Sequence, residues 1–259
     1  MRLLSLSFLL LLLNAPVSQS QVRQVTAKVG TDRAVVRPRT VVIIRHGALI
    51  KDFPEKQRAT VTYPIISGLK DAKVLVRIQS ILQVKNIFDS SIAQYREDNW
   101  LKEFSYRVNY NKNNILDVTF TQDGSGAYPD TQTRHFAIDL MNGSVIKASN
   151  VFVTGKLPEL QAMVNEKLQS ELKEILESLR DSKSDPEDVR IASEAQEALD
   201  YKSEDLDNFE VGAKGITFLY DAGYPHVIQA FEPDGRYFFS YSELRSYLKP
   251  DGPLGQFVQ

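Results

Sequence analysis

Residues 106–152 leave this chain little freedom in how it folds. They contain three segments with the residue pattern of β-strands, separated by turns rich in asparagine and glycine. Short turns of this kind join neighbouring strands of one sheet, so the stretch predicts an antiparallel meander with strands at 101–111, 115–123 and 131–141. A sheet built this way needs helices or a second sheet to cover its apolar side.

The loop Gly124-Ser125-Gly126-Ala127-Tyr128-Pro129 lies between the second and third predicted strands. Glycine permits backbone angles that other residues avoid, and proline fixes the direction in which the chain leaves. Loops shaped in this way on a rigid sheet are common binding sites. We therefore expect Gly126 and Pro129 to hold Tyr128 outward as a contact residue.

Residues 1–20 have the order of a secretory signal peptide. A charge at Arg2 precedes the apolar run Leu3–Leu13, and small residues follow at Ser18 and Ser20. The apolar run is shorter than the ~20 residues of a membrane-spanning helix. The sequence predicts cleavage after Ser20 and a secreted or periplasmic protein without a membrane span. An uncleaved amino-terminal anchor is the alternative.

Composition excludes several classes of site. The chain has no cysteine, which rules out disulfides, cysteine-based zinc sites and thiol chemistry. Export and a formal net charge of −2 argue against a nucleic-acid partner. Residues 21–39 are polar and mostly basic, which predicts a flexible lead-in that is either simply solvated or touches anionic wall polymer or lipid.

The order of predicted elements indicates an α+β fold, with a mostly antiparallel sheet or sheets and helices packed on one face. The chain divides into an amino-terminal half at 40–141, a carboxy-terminal half at 142–249 and a tail at 250–259, and whether the halves share one core stays open. Hydrophobic periodicity and capping residues place the remaining elements. Strands are predicted at 40–45, 59–63, 144–147, 209–220, 227–232 and 236–240, and helices at 71–92, 157–179, 184–202 and 241–248.

Arg45-His46-Gly47 follows a predicted strand, as in the opening motif of the histidine phosphatase superfamily. There a neutral imidazole attacks phosphorus while a guanidinium holds the phosphate oxygens. His46 would be the nucleophile and Arg45 part of the phosphate pocket. The surroundings of His226, the remaining candidate partner, do not match that superfamily, and a strand end that exposes a basic pair is the simpler interpretation.

Two further sites involve histidine or tyrosine. His135 and Asp139 share one face of a strand, so they could form an acid–base pair, two metal ligands or ordinary surface hydrogen bonds. The histidine spacing predicts neither a metal site nor a cofactor. Tyr224 and His226 flank a proline in a glycine-bearing loop, and with His135 they join Tyr128 as predicted binding residues.

The chain resembles the paired domains of unknown function in the extracellular part of RsiV-type anti-sigma factors and beside the catalytic domain of PdaC-type peptidoglycan deacetylases. The similarity covers residues 59–248 and depends on the order and spacing of its motifs. These are Tyr63–Gly68, the Tyr-x-Val-x-Tyr-Asn block at Tyr106–Asn111, the Gly-Ala-x-Pro loop, Phe136–Phe152 with Asp139, Gly143 and Asn150–Phe152, and Ile216–Leu248.

This resemblance implies an α+β envelope module. In the anti-sigma factors it implies recognition of lysozyme, and in the deacetylases an accessory role near glycan. Tyr128 stands where the family pattern usually has histidine, which argues against a metal or proton-transfer role for the loop. The deacetylase metal motifs, Asp-Asp and His-x-x-x-His, are absent from the sequence.

Three functions remain open from the sequence. The first is an exported, non-catalytic module that contacts cell-wall glycan or a protein such as lysozyme, with no catalytic residue and no cofactor. The second is a periplasmic histidine phosphatase that uses Arg45 and His46. The third is a purely structural envelope protein. The oligomeric state is not indicated.

Overall fold

The structure, a computed structural model, describes residues 32–126, 128–182 and 184–258. The predicted signal peptide and residues 21–31 of the predicted lead-in lie outside the described residues. Within those ranges, no helix combines the length and the apolar character needed to cross a bilayer.

A mixed five-stranded sheet organises the amino-terminal half. Its strands are ordered β1-β2-β3-β4-β5 and all neighbours are antiparallel except β2 and β3, which pair in parallel only near Thr60 and Val61. The strands are β1 Val35–Ile44, β2 Arg58–Ser67, β3 Leu101–Lys112, β4 Ile115–Ser125 and β5 Pro129–Asp139. The predicted meander is confirmed as β3, β4 and β5, with Asn113 and Asn114 at positive φ in the first turn.

Two predicted boundaries of this sheet were wrong. The first strand begins at Val35 rather than residue 40, so the predicted lead-in ends earlier, and the second strand continues past Pro64 to Ser67. Pro38 and Pro64 lie opposite each other in the register. Antiparallel pairs alternate between those that exchange main-chain hydrogen bonds and those that do not, and two facing prolines suit a pair that exchanges none.

Strand β4 is buried on both sides because it separates two cores. Its even-numbered residues, including Leu116, Val118 and Phe120, belong to one apolar cluster, whereas Ile115 belongs to the other. This division follows directly from the alternation of side chains along a strand. One side of the large sheet is thus covered by the helices of the amino-terminal half, and the other side by the carboxy-terminal half.

The helix predicted at 71–92 is three shorter helices. Asp71 caps the first by accepting from the main-chain N–H groups of Lys73 and Val74, as predicted, but Asp89 has a φ of 54° and Ser91 starts a new capping box. A positive φ and a fresh cap end one helix and begin another. The helices of this half are α1 Ala48–Asp52, α2 Ala72–Ile81, α3 Val84–Ile87 and α4 Ile92–Glu97.

The carboxy-terminal half combines helices with a second, three-stranded antiparallel sheet. Its strands, in the order β6-β7-β8, pack with a long helix against the odd-numbered side of β4. The fold is α+β, as predicted. The elements are α5 Ala148–Val151, α6 Leu157–Asp181, α7 Pro186–Gln196, β6 Phe209–Val211, β7 Gly215–Leu219, β8 Arg236–Ser240 and α8 Tyr241–Leu244.

Several predicted elements of this half were wrong. The strand expected at 144–147 is a single bridge between Ile138 and Val145. The helix expected at 184–202 is α7, which is capped by Asp185 and already ends at Gln196. The strand expected at 227–232 is a 3-10 helix, His226–Phe231. Strand β8 already pairs with β7, so this segment satisfies its N–H groups through local bonds instead.

Gly124, the first residue of the loop that leads to Pro129, gives a test of the packing against Trp100. A Cβ atom there would lie 2.4 Å from the Trp100 ring and 2.6 Å from the Trp100 carbonyl oxygen. We expect Gly124→Ala to lower the free energy of unfolding by roughly 1–3 kcal/mol, as overpacking does in other cores. Urea unfolding measures this change. Gly155→Ala, where no atom lies within 4 Å, is the matched control, and equal losses in both variants would contradict the packing described here.

Candidate functional site

A cleft of about 830 Å³ lies between the outer edge of β5 and the carboxy-terminal half. Six consecutive residues of β5, 130–135, line one wall. Since neighbouring side chains of a strand point to opposite faces, a cleft lined by six in a row meets the edge of the strand rather than one face. The opposite wall comes from residues 219–221, 223–224 and 232–236, with Asn208 and Gln229.

The second wall is held in place by a tight turn. Gly235 has a φ of 64°, and a Cβ atom there would lie 2.1 Å from the Tyr220 carbonyl oxygen, so the close approach requires glycine. Glu171 of α6 accepts from the main-chain N–H of Asp234 and from the Tyr237 hydroxyl. The wall therefore has fixed geometry.

The predicted contact residue Tyr128 is exposed, with 59% of its surface accessible. Its ring stacks on His226, with the ring centroids 4.5 Å apart and the ring planes at 21°. Gly126 donates its main-chain N–H to the Tyr128 carbonyl oxygen, which closes the loop before Pro129 begins β5. The structure thus brings together Tyr128 and His226, two predicted binding residues that are far apart in the sequence.

Tyr224, another predicted binding residue, lines the cleft. Its hydroxyl oxygen is buried and has no hydrogen-bond partner within the described residues. Burial, and secondarily the neighbouring Tyr220 and Glu232, raise the pKa of this hydroxyl, so it is a neutral donor. A buried hydroxyl without a partner at a cleft wall can donate to a bound ligand.

His135, the last predicted binding residue, lies where the two sheets meet. Its Nδ1 atom is 3.3 Å from Glu210 Oε1, and the Thr119 hydroxyl donates to the same carboxylate oxygen at 3.0 Å. Arg236 and Arg107 also donate to Glu210, at 2.5 and 3.2 Å. The carboxylate of β6 is therefore surrounded by donors from β3, β4, β5 and β8.

These contacts set the charge of Glu210. Burial alone would raise its pKa, but the hydrogen bonds and charges of His135 and Arg236 outweigh burial and lower the pKa to about 2. Glu210 is thus a permanent anion that neutralises Arg236. It is a structural link between the sheets rather than a proton donor near neutral pH.

Asp117 is the second buried carboxylate at this junction. It is fully buried and accepts from the Asn109 side chain at 2.6 Å and from the Val211 main-chain N–H at 2.8 Å. Burial raises its pKa to about 7, although both hydrogen bonds oppose the rise. This carboxyl group consequently titrates near neutral pH.

Of the alternatives left open for His135 and Asp139, the acid–base pair does not form. Asp139 accepts from the main-chain N–H of Met141 and from the Asn142 side chain, so it closes the turn after β5, whereas His135 contacts Thr119 and Glu210. Residues four apart on an extended strand share a face but are too distant to touch. No cluster of three metal-ligating side chains occurs in the described ranges.

Arg45 is buried, and its guanidinium donates to main-chain carbonyl oxygens of Lys56, Tyr95 and Leu101. His46 is exposed, beside an open pocket of about 420 Å³. A guanidinium that cradles phosphate needs a free pair of parallel donors. Four N–H···O bonds to carbonyl oxygens leave Arg45 without such a pair, so it acts here as a link between loops.

Sequence reasoning did not identify Glu210, Asp117 or Arg236. Asp117 is a charged residue inside the apolar run of β4, and this was the available sign that it is buried. Glu210 and Arg236 carry no such local sign, because their partners lie on strands far away in the sequence.

Comparison with known proteins bears on the fold. No family model matches the sequence, and no curated protein matches it significantly. A solved member of the DUF3298 family from Bacteroides fragilis is similar in structure, with a TM-score of 0.53, 13% identity, and coverage of 89% of this chain and 98% of that one. The two proteins share a fold.

A second solved structure, a DUF3298 family protein from Pseudomonas aeruginosa, has a TM-score of 0.47 at 12% identity, and covers 84% of this chain and 94% of that one. The fold shared with the Bacteroides fragilis protein agrees with the predicted resemblance only as far as a domain of unknown function. The finer resemblance to RsiV-type and PdaC-type proteins stays a prediction.

Asp117→Asn tests the buried carboxyl group. A raised pKa means that the folded state binds the proton more tightly, so the stabilisation is present below the ordinary value near 3.8 and is lost as pH rises through about 7. Across that window the difference in unfolding free energy, variant minus wild type, should rise by up to about 1.4 kcal/mol per pH unit.

Urea unfolding of both proteins at several pH values between 4 and 8 measures this difference. Asp181→Asn, at the exposed end of α6, is the matched control and should follow the wild type. A difference between Asp117→Asn and wild type that does not change with pH would contradict the raised pKa.

Proposed function

We propose that the chain is an exported, non-catalytic module of the cell envelope that binds a basic protein, such as lysozyme, in the cleft beside β5. The observation that carries this is the excess of uncompensated carboxylates in a preformed cleft. Export is supported by the predicted signal peptide, and the class of partner by the resemblance of the sequence to lysozyme-recognising extracellular domains.

The charge of the cleft favours a cationic partner. Four carboxylates line it, and within the described part of the chain none of them forms an ion pair; they are Asp130, Asp221, Glu232 and Asp234. Of the lining arginines, Arg236 is neutralised by Glu210, and Arg134 remains. Complementary charge speeds association and selects the partner, and wall glycan with anionic stem peptides would be repelled.

The stacked pair beside the cleft suits a protein interface. The Tyr128 ring stacks on His226, so its side chain has little conformational freedom to lose on binding. Val227, which follows His226 in the sequence, is 82% exposed. Exposed aromatic residues with restricted motion are common centres of binding energy.

Cell-wall glycan is the second candidate. The flat face of the Tyr128–His226 pair is the observation that favours it, because sugar rings stack on aromatic rings. The buried Tyr224 hydroxyl could then donate to a sugar oxygen. The acidic lining argues for neutral sugar segments over charged ones.

A non-catalytic role is supported by the state of the charged groups. Glu210 is fixed by four donors, and the Arg45 guanidinium by carbonyl oxygens, so neither can bind a substrate without losing contacts that hold the fold. These groups connect elements of the structure.

The charge of the cleft is tested by the double substitution Asp130→Asn/Asp234→Asn. Binding of the purified chain to immobilised lysozyme is measured by biolayer interferometry at low and physiological salt. We expect the double variant to bind about tenfold more weakly, mainly through slower association, with a smaller effect at higher salt. Asp181→Asn, which removes an exposed carboxylate outside the cleft, is the control and should bind like the wild type. Wild-type protein that does not bind lysozyme would contradict the proposed partner.

Tyr128→Ala tests the aromatic contact in the same assay. Loss of an anchored aromatic residue should weaken lysozyme binding by about tenfold without changing the unfolding midpoint. Met141→Ala, which removes another exposed apolar side chain next to the turn after β5, should bind like the wild type. Binding of the wild type and of Tyr128→Ala to insoluble peptidoglycan is measured in parallel. Wild-type protein that is retained by peptidoglycan but not by lysozyme, with weaker retention of Tyr128→Ala, would favour the glycan candidate. Wild-type protein retained by neither would favour a purely structural protein.

The absence of catalysis is tested with p-nitrophenyl phosphate. We expect no turnover above background for the wild type, because Arg45 has no free pair of donors for phosphate. Turnover that His46→Ala abolishes would contradict the non-catalytic proposal and restore the phosphatase alternative.

A further inference from the structure

The outer edge of β5 has main-chain groups that face the cleft. Near its end, the Ala137 carbonyl oxygen accepts from Ile146, and the Asp139 N–H donates to Ser144. At this end of β5, the main-chain N–H and C=O groups of the odd-numbered residues therefore point away from β4. The register between β4 and β5 has no irregularity, so the same alternation places the N–H and C=O groups of Thr131, Thr133 and His135 outward.

The chain itself already uses part of this edge. Residues 144–146 add to β5 beside Ile138 as a short antiparallel bridge. Beyond it, residues 130–134 are exposed and line the cleft, and β5 is the last strand of its sheet. The Arg134 guanidinium donates to the Thr133 carbonyl oxygen at 3.1 Å, which is consistent with that oxygen facing outward.

The opposite edge of the same sheet is protected, whereas this one is not. Strand β1 has Pro38 in its middle and arginines on both sides of it, which are the usual devices against pairing with another chain. The open segment 130–135 contains no proline and a single cation, Arg134. It lies instead along a cleft, with the carboxy-terminal half forming the facing wall.

From this geometry we propose that the open edge of β5, Thr131–His135, recognises its partner by strand addition. The occupant is an extended segment of a basic protein, which pairs with the outward N–H and C=O groups while its cationic side chains meet the carboxylates of the cleft. Main-chain pairing supplies affinity, and alternate side chains supply selectivity. This deepens the proposed function and depends on its assignment of a basic protein partner.

Charge is what decides among the possible occupants. Asp130 comes directly before the open edge, and Asp221 and Asp234 lie on the facing wall. A segment with lysine or arginine at alternate positions would place its cations beside these groups. A second copy of this chain, pairing through its own β5, would bring the same carboxylates together, which costs free energy.

The probe is a synthetic peptide with the sequence acetyl-Lys-Val-Arg-Val-Lys-Val-amide, and its partner probe has glutamate in place of each cation. Amide hydrogen exchange of the purified chain is followed by NMR with and without each peptide. Without peptide, Gln132 and Arg134 should exchange slowly because they pair with β4, and Thr131, Thr133 and His135 should exchange fast. The basic peptide should slow these three amides by about tenfold or more, and the acidic peptide should not.

Thr133→Pro removes one outward N–H and leaves the ladder to β4 intact, while Thr133→Ala keeps that N–H as the matched control. The proline variant should bind the basic peptide at least tenfold more weakly than the alanine variant. If the proline variant does not fold, the exchange pattern of the wild type still decides. Unchanged exchange at all three amides in saturating peptide would overturn the proposal.

The remaining outcomes separate this inference from the proposed function. Lysozyme binding that is equal in both Thr133 variants overturns strand addition and leaves the proposed partner in place. Peptide binding that depends on the Thr133 N–H, together with no binding of lysozyme, supports strand addition and overturns that partner. Protection caused by N-acetylglucosamine oligomers but not by the peptide, or a β5-mediated dimer in sedimentation, overturns the choice of occupant.

Discussion

The carboxylate of Glu210 reaches from the small sheet to the large one and ends among donors from four strands. Because its pKa is held at about 2, the anion persists at any pH at which the protein would work. Its stabilisation is present above the ordinary carboxyl pKa of 4.5 and is lost as pH falls through about 2. The carboxy-terminal half is thereby fixed on one side of the sheet at His135, and the edge of β5 beyond that point is left facing a cleft.

Asp117, next to Glu210, has the opposite dependence on pH. Burial raises its pKa to about 7, so its protonated form stabilises the fold at low pH and that contribution is lost towards neutrality. The junction thus combines one carboxylate that never gains a proton near neutrality with one that does. Removing one of these buried carboxylates lowers the free energy of unfolding by more than its hydrogen bonds contribute, because the donors that remain are buried without a partner.

Much of the fold could be predicted from local sequence pattern, whereas the candidate site could not, because it depends on contacts between residues far apart in the sequence. The meander β3–β5 could be predicted because its alternation and its Asn-rich turn are encoded within a few residues. The helix at 71–92 was predicted as one element because its periodicity continues past two breaks, at Gln83, where the backbone is extended, and at Asp89, where φ is positive. The cleft depends on pairs such as Thr119 and Glu210, 91 residues apart, whose approach no local pattern indicates. Tyr128 could be predicted as exposed from its loop, but its stacking on His226 could not.

Strand β5 connects the observations that bear on function. Its side chains contribute to the core, it begins directly after the loop that carries Tyr128, and its outer edge faces the cleft. The most direct test of this account is the map of amide chemical-shift changes when lysozyme is added to isotopically labelled protein. The account predicts the largest changes at 130–135, Tyr224 and 232–234. Changes confined to β1 or to the surroundings of Arg45, or none at saturating lysozyme, would contradict it.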